Sequence, residues 1–189
     1  MHADNWANKA KQEGYRTRAV YKLDEIIQKT KALKKKQNVL DLGSAPGGWS
    51  QYIKKKSPSS EIFAIDILDM NPLDGVHFFL KSIEQINEID LIHNIKGSFG
   101  LVISDIAPNI TGINAIDIEN IYELNCLTLN TAVEYLDKSN GSFIMKTFQN
   151  SMLKNLRKKM ELSFKIVQTF KPAASKKQSG EIYLYGAYK

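Results

Sequence analysis

The chain has 189 residues, of which 43% are hydrophobic and 24% are charged, and its formal net charge is +6. This composition excludes a disordered or fibrous chain, and the length predicts a single domain over residues 1–189. Its one cysteine, Cys126, excludes a disulfide framework and a cysteine-rich zinc site. The sequence contains neither an apolar run long enough to span a membrane nor, in its polar first 14 residues, a secretory signal.

The charge is segregated along the chain. Residues 1–56 hold 13 Lys and Arg against 5 acids, residues 57–145 hold 3 against 13, and residues 146–189 hold 10 against 2. Two basic flanks around an acidic middle predict a polyanionic partner such as a nucleic acid. The alternative is a surface on which lysine is used unevenly.

In chain order, the hydrophobic pattern predicts strands that alternate with helices. Helices are expected over residues 18–33, 49–56, 119–137 and roughly 151–160. Strands are expected over residues 38–42, 61–66, 76–80, 100–105, 141–146, 164–170 and 182–188. This order predicts a Rossmann-like α/β fold with a seven-stranded, mostly parallel sheet, helices on both faces and an antiparallel C-terminal hairpin.

The first predicted strand runs into a glycine-rich segment, DLGSAPGGW at residues 41–49. Ser44 and Ala45 break the dinucleotide-binding pattern G-x-G-x-x-G, and Trp49 stands where a P-loop needs its lysine. Asp66, at the end of the second strand, lies where an acid accepts hydrogen bonds from ribose hydroxyls. A nucleoside with a positively charged tail, S-adenosylmethionine, fits this pattern as the cofactor. A tight strand-to-helix turn without a ligand is the alternative.

Five segments, in order, resemble one family. They are GYRTRAVYKL (14–23), residues 41–51, SDIAPN (104–109), FIMK (143–146) and KPAAS (171–175), which leads to Glu181. From about Lys9 to Lys189 the chain is similar to the FtsJ (RrmJ) family of S-adenosylmethionine-dependent RNA ribose 2′-O-methyltransferases. The resemblance implies a class I methyltransferase fold and a catalytic set formed by Lys22, Asp105, Lys146 and Glu181.

The glycine turn and the resemblance together predict the cofactor contacts. Family members commonly carry an acid beside the adenine after the third strand, where this chain has Ser82, whose hydroxyl can still form a hydrogen bond. The predicted cofactor-binding residues are Asp41, Gly43, Ala45, Pro46, Gly47, Gly48, Trp49, Asp66, Ile67, Ser82 and Asp105.

A ribose 2′-hydroxyl is a weak nucleophile, so orientation of the reactants supplies much of the acceleration in methyl transfer. A positioned base adds about 10²- to 10⁴-fold. A lysine becomes a base when a nearby cation or burial lowers its pKa, whereas a carboxylate opposes this. We assign Lys146 to accept or steer the 2′-proton and Asp105 to orient Lys146 and the methyl donor. Lys22 and Glu181 would complete the hydrogen-bond network.

The basic flanks supply candidate phosphate contacts, which position RNA without selecting its sequence. Tyr15 and Tyr21 are candidates to stack on an unpaired base, with core packing as the alternative for Tyr21. The three histidines have no metal-ligand spacing, so no metal site is expected. The predicted RNA-binding residues are Arg16, Arg18, Lys34, Lys35, Lys36, Lys154, Arg157, Lys158, Lys159, Lys171, Lys176 and Lys177.

Within the family, residues 47–49 and 105–109 resemble more closely the branch that acts on large-subunit ribosomal RNA. That branch implies a uridine in the A-loop of the peptidyl-transferase region as the acceptor, within a ribosomal particle. The alternatives are a tRNA anticodon-loop methyltransferase and a non-catalytic RNA-binding factor in ribosome assembly. We expect a monomer without membrane association, in the cytoplasm or in an organelle such as the mitochondrion.

Overall fold

The computed structural model describes residues 3–109, 111–176 and 178–189. Lys177, one of the predicted RNA contacts, lies outside the described residues. Seven strands form one sheet in the order β3-β2-β1-β4-β5-β7-β6. The strands are β1 (Asn38–Leu42), β2 (Glu61–Asp66), β3 (Val76–Leu80), β4 (Phe99–Ser104), β5 (Ser142–Phe148), β6 (Ile166–Phe170) and β7 (Glu181–Ala187).

Helices connect most of these strands. Besides a 3₁₀ helix over Ile83–Glu88, the helices are α1 (Ala3–Gln12), α2 (Val20–Thr30), α3 (Gly48–Lys56), α4 (Asp90–His93), α5 (Asn114–Tyr135) and α6 (Leu153–Ser163). Within the described part of the chain, no helix is long and apolar enough to cross a membrane.

The strand directions confirm the predicted sheet. Neighbouring strands from β3 through β5 pair in parallel, whereas β7 pairs antiparallel with β5 on one side and β6 on the other. The expected hairpin is therefore present, and its second strand lies inside the sheet with β6 at the edge. Every residue of β4 is buried, which is typical of a parallel strand covered on both faces.

Alternation along the strands divides the core between the two faces of the sheet. Leu40, Val102 and Phe143 pack in one cluster with residues of α5 and α6. Their neighbours, which include Val39 and Ile144, pack in a second cluster with residues of α2 and α3. Because successive side chains of a strand point to opposite faces, the same sheet buries two helical layers. The prediction of helices on both faces is confirmed.

The sequence pattern missed three short elements. Helix α1 is polar and buries little more than Ala10, although the ring of Trp6 packs 4.9 Å from that of Tyr21. The 3₁₀ helix and α4 span at most six residues, too few to establish a helical period. Among the predicted helices, α5 differs most, since it begins at Asn114 rather than at residue 119.

Candidate active site

The carboxyl ends of β1 to β4 border one cleft. The residues that end or follow these strands, Gly43, Asp66, Ser82 and Asp105, line a cavity of about 550 Å³. A smaller cavity of about 110 Å³ adjoins it and shares Gly43, Ala45 and Asp105 with it. Ligands of doubly wound sheets lie outside the carboxyl ends of the strands, so this edge is the expected position of a binding site.

Ten of the eleven predicted cofactor residues line the two cavities. The larger cavity includes Ile67 and Ser82, and the smaller one includes Asp41, Pro46, Gly48 and Trp49. Gly47 is the exception, because it lines neither cavity and packs against Arg16.

Backbone hydrogen bonds fix the glycine turn at the end of β1. The amides of Gly43 and Ser44 donate to the carbonyl oxygen of Ile65 over 2.8 and 3.1 Å. The Asp66 carboxylate accepts the amide of Ala45 through Oδ2 and that of Leu68 through Oδ1, both over 2.8 Å. Asp66 therefore ties the turn after β1 to the loop after β2, and its carboxylate lines the larger cavity.

Three carboxyl groups converge near the turn. Asp41 is buried and accepts a hydrogen bond from Ser50 Oγ over 2.7 Å. The pKa of Asp41 is raised to about 7, mainly by burial and also by the charges of Asp105 and Asp66, against the lowering effect of the Ser50 hydrogen bond. This concentration of acids favours a positively charged group in the cleft.

The structure brings the four predicted catalytic residues together in two ion pairs. Lys22 Nζ of α2 lies 2.8 Å from both carboxylate oxygens of Glu181 at the start of β7. Lys146 Nζ of β5 lies 3.3 Å from Asp105 Oδ1 and also donates to the Asp105 carbonyl oxygen. Since Asp105 lines both cavities, the Lys146 pair adjoins the cleft.

Tyr183 links the two ion pairs and was not identified from the sequence. Its hydroxyl donates to Asp105 Oδ1 over 2.8 Å, and Lys22 Nζ lies 5.8 Å from the centre of its ring. It pairs with Lys146 across the antiparallel β5 and β7 strands, so both side chains share the face that α2 covers. The strand period was the available signal, because Tyr183 lies two residues beyond Glu181.

The protonation states of Glu181 and Tyr183 follow from their surroundings. Burial favours a higher pKa for Glu181, but the hydrogen bond and charge of Lys22, the Ser175 hydroxyl and the charge of Lys146 outweigh it and lower the pKa. Ser175 Oγ donates to Glu181 Oε1 over 2.7 Å. Burial, together with the charges of Asp105 and Glu181, raises the pKa of Tyr183, so its phenol stays neutral and donates.

Some predicted RNA contacts have structural partners within the protein. The guanidinium of Arg16 donates to three backbone carbonyl oxygens, and Lys171 Nζ donates to those of Ser179 and Glu181. Tyr21 is buried, so the core-packing alternative is correct for it. The partly exposed Tyr15 packs edge-on against Tyr21, with ring centroids 6.3 Å apart.

Four of the remaining predicted RNA contacts lie toward opposite ends of the sheet. Lys34 and Lys35 lie at the amino ends of the strands, because Ser57, which precedes β2, donates to both of their carbonyl oxygens. They are thus separated from the cleft. Lys154 and Lys158 lie exposed on α6, which follows the carboxyl end of β5.

The other predicted basic residues differ in how far they are engaged. Lys159 lies over the Tyr122 ring, and Arg157 contacts Thr169 and Glu161. Lys36 and Lys176 are exposed, and Arg18 is partly buried. Exposed basic side chains on the carboxyl side of the sheet therefore lie on α6 and at Lys176, which follows Ser175, the hydrogen-bond partner of Glu181.

The sequence of this chain is similar to those of known methyltransferases. The family model described as FtsJ-like methyltransferase matches residues 15–189. The Ribosomal RNA large subunit methyltransferase E of Wigglesworthia glossinidia brevipalpis is 40% identical over 184 residues, covering 97% of this chain and 90% of that protein. The protein of the same name from Ehrlichia chaffeensis is 40% identical over 190 residues, covering 97% and 87%.

Two solved structures of methyltransferases are similar to this chain. A crystal structure from Plasmodium falciparum described as a ribosomal RNA methyltransferase has 30% identity and a TM-score of 0.79, covering 91% of this chain and 97% of that one. Human Methyltransferase-like protein 13 shares the fold at 12% identity and a TM-score of 0.60, over 88% of this chain and 81% of that one. The match over residues 15–189, on a sheet that gathers the predicted motifs at one edge, shows that the chain belongs to the FtsJ-like methyltransferase family.

Proposed function

We propose that this protein transfers the methyl group of S-adenosylmethionine to a ribose 2′-hydroxyl of RNA. The observation that carries the proposal is the position of the Lys146–Asp105 pair, which adjoins the cleft at the carboxyl ends of β1 to β4. An amino group that can accept or steer a hydroxyl proton thus lies beside a cavity suited to a nucleoside. In this proposal residues 1–189 act as one catalytic domain.

The residues of the cleft suit S-adenosylmethionine. The larger cavity, at about 550 Å³, lies within the range of about 300–1,000 Å³ found for small-molecule sites. Asp66 offers a carboxylate to the ribose hydroxyls, and Ile67 and Leu68 offer exposed apolar surface to the adenine. Asp41 and Asp105 place acidic groups near the positively charged end. When bound, this cofactor supplies an electrophilic methyl group on a sulfonium.

The ion pairs suggest a role for each catalytic candidate. Lys146 Nζ faces the ribose hydroxyl and accepts the proton that this oxygen loses when it gains the methyl group, and Asp105 holds Lys146 through two oxygens. Lys22 and Glu181 form the second pair, which Tyr183 connects to Asp105. Because both reactants must be aligned for an in-line displacement, we assign most of the catalytic effect to orientation.

We propose large-subunit ribosomal RNA as the acceptor, with a uridine of the A-loop as the methylated nucleotide. The names of the relatives at 40% identity and the sequence variants at residues 47–49 and 105–109 support this choice. One copy of the chain would act on a ribosomal particle, in the cytoplasm or in an organelle such as the mitochondrion.

The test is methyl transfer from labelled S-adenosylmethionine to three acceptors: unmodified large ribosomal subunits, free ribosomal RNA and tRNA. The modified ribose is then mapped, with Lys146→Ala as the control. We expect one methyl group on an A-loop uridine with the wild-type protein and a large loss with the variant. Transfer to tRNA alone would indicate the anticodon-loop alternative. RNA binding without transfer to any acceptor would indicate the assembly-factor alternative.

A further inference from the structure

The last two glycines of the turn, Gly47 and Gly48, pack closely against residues 16–17. A Cβ atom at position 48 would lie 2.5 Å from Thr17 Oγ1. At position 47 it would lie 2.9 Å from Arg16 Nη1, and Gly47 has a positive φ of 96°. A side chain at position 48 would therefore push against Thr17, and one at position 47 would push against Arg16 and, at 2.9 and 3.0 Å, against Leu73 and Met70 of the loop after β2.

Arg16 holds the outer side of the turn. Its Nη1 donates to the carbonyl oxygens of Pro46 and Asn71 over 2.8 and 2.7 Å, and its Nη2 donates to that of Pro72 over 2.8 Å. Its backbone amide donates to Gln51 Oε1 over 2.9 Å. One guanidinium thus bridges the turn after β1 and the loop after β2, the two loops that also meet at Asp66.

Helix α3, which continues the turn, is tied to the same N-terminal segment. Gln51 Nε2 donates to the Gly14 carbonyl oxygen over 2.8 Å, and Trp49 Nε1 donates to that of Ala19 over 2.9 Å. The Tyr52 hydroxyl donates to Asp24 Oδ1 of α2 over 2.6 Å. Helix α2 carries Lys22, so these bonds fix a catalytic candidate relative to the turn.

We propose that Arg16 and Thr17 are positioning residues. They pack against Gly47 and Gly48 and hold the glycine turn in the conformation that binds the cofactor. The inference rests on the proposed function, in that the turn holds S-adenosylmethionine. Arg16 then affects cofactor affinity through the hydrogen bonds of its guanidinium, independently of any attraction between its charge and RNA. In this proposal, position 48 requires glycine because of its contact with Thr17, and not because of contact with the ligand.

The first experiment is titration of wild-type protein, Arg16→Lys and Arg16→Ala with S-adenosylmethionine, and separately with an A-loop RNA. Lysine keeps the charge but cannot bridge three carbonyl oxygens in the planar geometry of arginine. Losing charged hydrogen bonds predicts about a tenfold or greater loss of cofactor affinity in both variants. Arg16→Lys should retain RNA affinity. Arg157→Lys on α6 is the matched control for cofactor affinity.

The second experiment is a double-mutant cycle between Gly48→Ala and Thr17→Ala. In the Thr17→Ala background the atom nearest to the new Cβ is absent, and the next lies at 3.4 Å. The loss of cofactor affinity caused by Gly48→Ala should therefore be several-fold smaller in that background than in the wild-type background. An equal loss in both backgrounds would mean that Gly48 is needed for the ligand, and would overturn the inference.

The outcomes separate the inference from the function on which it rests. Wild-type protein that fails to bind S-adenosylmethionine overturns the proposed function and the inference with it. Cofactor binding that Arg16→Lys leaves unchanged overturns the inference alone. Thermal unfolding of each variant without ligand shows whether it is folded. Cofactor affinities of Arg16→Lys and Arg157→Lys are then compared between folded proteins.

Discussion

Lys146 is the side chain on which the proposed chemistry depends most directly. Its Nζ contacts two oxygens of Asp105 at the rim of the cleft, so its removal takes away the group assigned to the 2′-proton. Lys146→Ala should lower kcat by about 10²- to 10⁴-fold, the usual contribution of a proton-transfer group. The affinity for S-adenosylmethionine should change little.

Methyl-transfer assays measure the rate, and calorimetry measures the affinity for the cofactor. Lys165→Ala, at an exposed lysine outside the predicted RNA-binding set, is the control for loss of a positive charge. A near wild-type kcat for Lys146→Ala would show that Lys146 takes no part in the proton transfer.

The buried pair of Lys22 and Glu181 predicts a pH-dependent stability. The pKa of Glu181 is lowered in the folded protein, so its contribution is fully present above the ordinary value of 4.5 and is lost as the pH falls through the folded-state pKa. Glu181→Gln leaves the Lys22 ammonium buried without its counter-ion, and should cost about 3 kcal/mol at neutral pH.

Urea unfolding of wild-type protein and Glu181→Gln at pH 7, 5 and 3 measures this contribution. The difference between the two free energies of unfolding should shrink as the pH falls. A difference that stays constant from pH 7 to pH 3 would contradict a lowered pKa.

The buried carboxyl group of Asp41 should make the stability of the protein depend on pH in the opposite direction. Burial raises its pKa from 3.8 to about 7, so between these values the folded protein keeps a proton that the unfolded chain has released. Stability from this group therefore falls as the pH rises from about 4 to 7 and is constant above that. Asp41→Asn can still accept the Ser50 hydrogen bond and should gain stability relative to wild type over this range. Equal differences at pH 5 and pH 8, measured by urea unfolding, would refute the prediction.

At the scale of elements, β7 packs closely against the end of α6. A Cβ atom at Gly186 would lie 2.5 Å from the ring of Phe164, which is buried and packs between Phe143 and Tyr188. A ring held from both sides cannot move away cheaply, so Gly186→Ala should destabilise the protein by about 1–3 kcal/mol.

Gly100 in β4 gives the matched comparison. A Cβ there would lie 2.7 Å from Oε1 of Gln37, which can rotate away, and 3.0 Å from Gln37 Cβ, which needs only a small shift. Gly100→Ala should therefore cost less than Gly186→Ala in the free energy of unfolding, measured by urea titration. The reverse order would show that β7 and α6 are packed more loosely than the structure indicates.

At the scale of the whole molecule, the basic residues of α6 and those before β1 lie at different ends of the sheet. Lys154 and Lys158 are exposed one helical turn apart on α6. Reversing both charges should weaken RNA binding by about tenfold or more and make its dependence on salt shallower by about 1–2 in the log–log slope. Cofactor affinity should stay unchanged, because neither residue lines the cleft.

Lys35→Glu with Lys36→Glu is the matched control, since it makes the same charge change at the amino ends of the strands. Filter binding at several salt concentrations compares the two double variants. Equal losses would mean that RNA binding depends on overall charge rather than on the surface beside the cleft.

The sequence by itself determined the strands, most of the long helices and the family. Buried parallel strands are continuous apolar runs, and the motifs are contiguous segments, so both can be recognised without knowing what packs against them. It also identified Lys22, Asp105, Lys146 and Glu181 through the resemblance. Helix α1 was missed because its apolar face consists of Trp6 and small alanines, which is a weak signal in a polar segment.

The tertiary structure decided how these residues are paired and which basic side chains lie near the cleft. The strand period could place Tyr183 on the same face as Glu181, but only the register between β7 and β5 puts it opposite Lys146 and within reach of Asp105. Arg16 was predicted as an RNA contact, yet it binds carbonyl oxygens of two loops that lie 30 and 55 residues away. Charge can be counted along a chain, but the partner of a charge depends on contacts between distant segments, which form only when the chain folds.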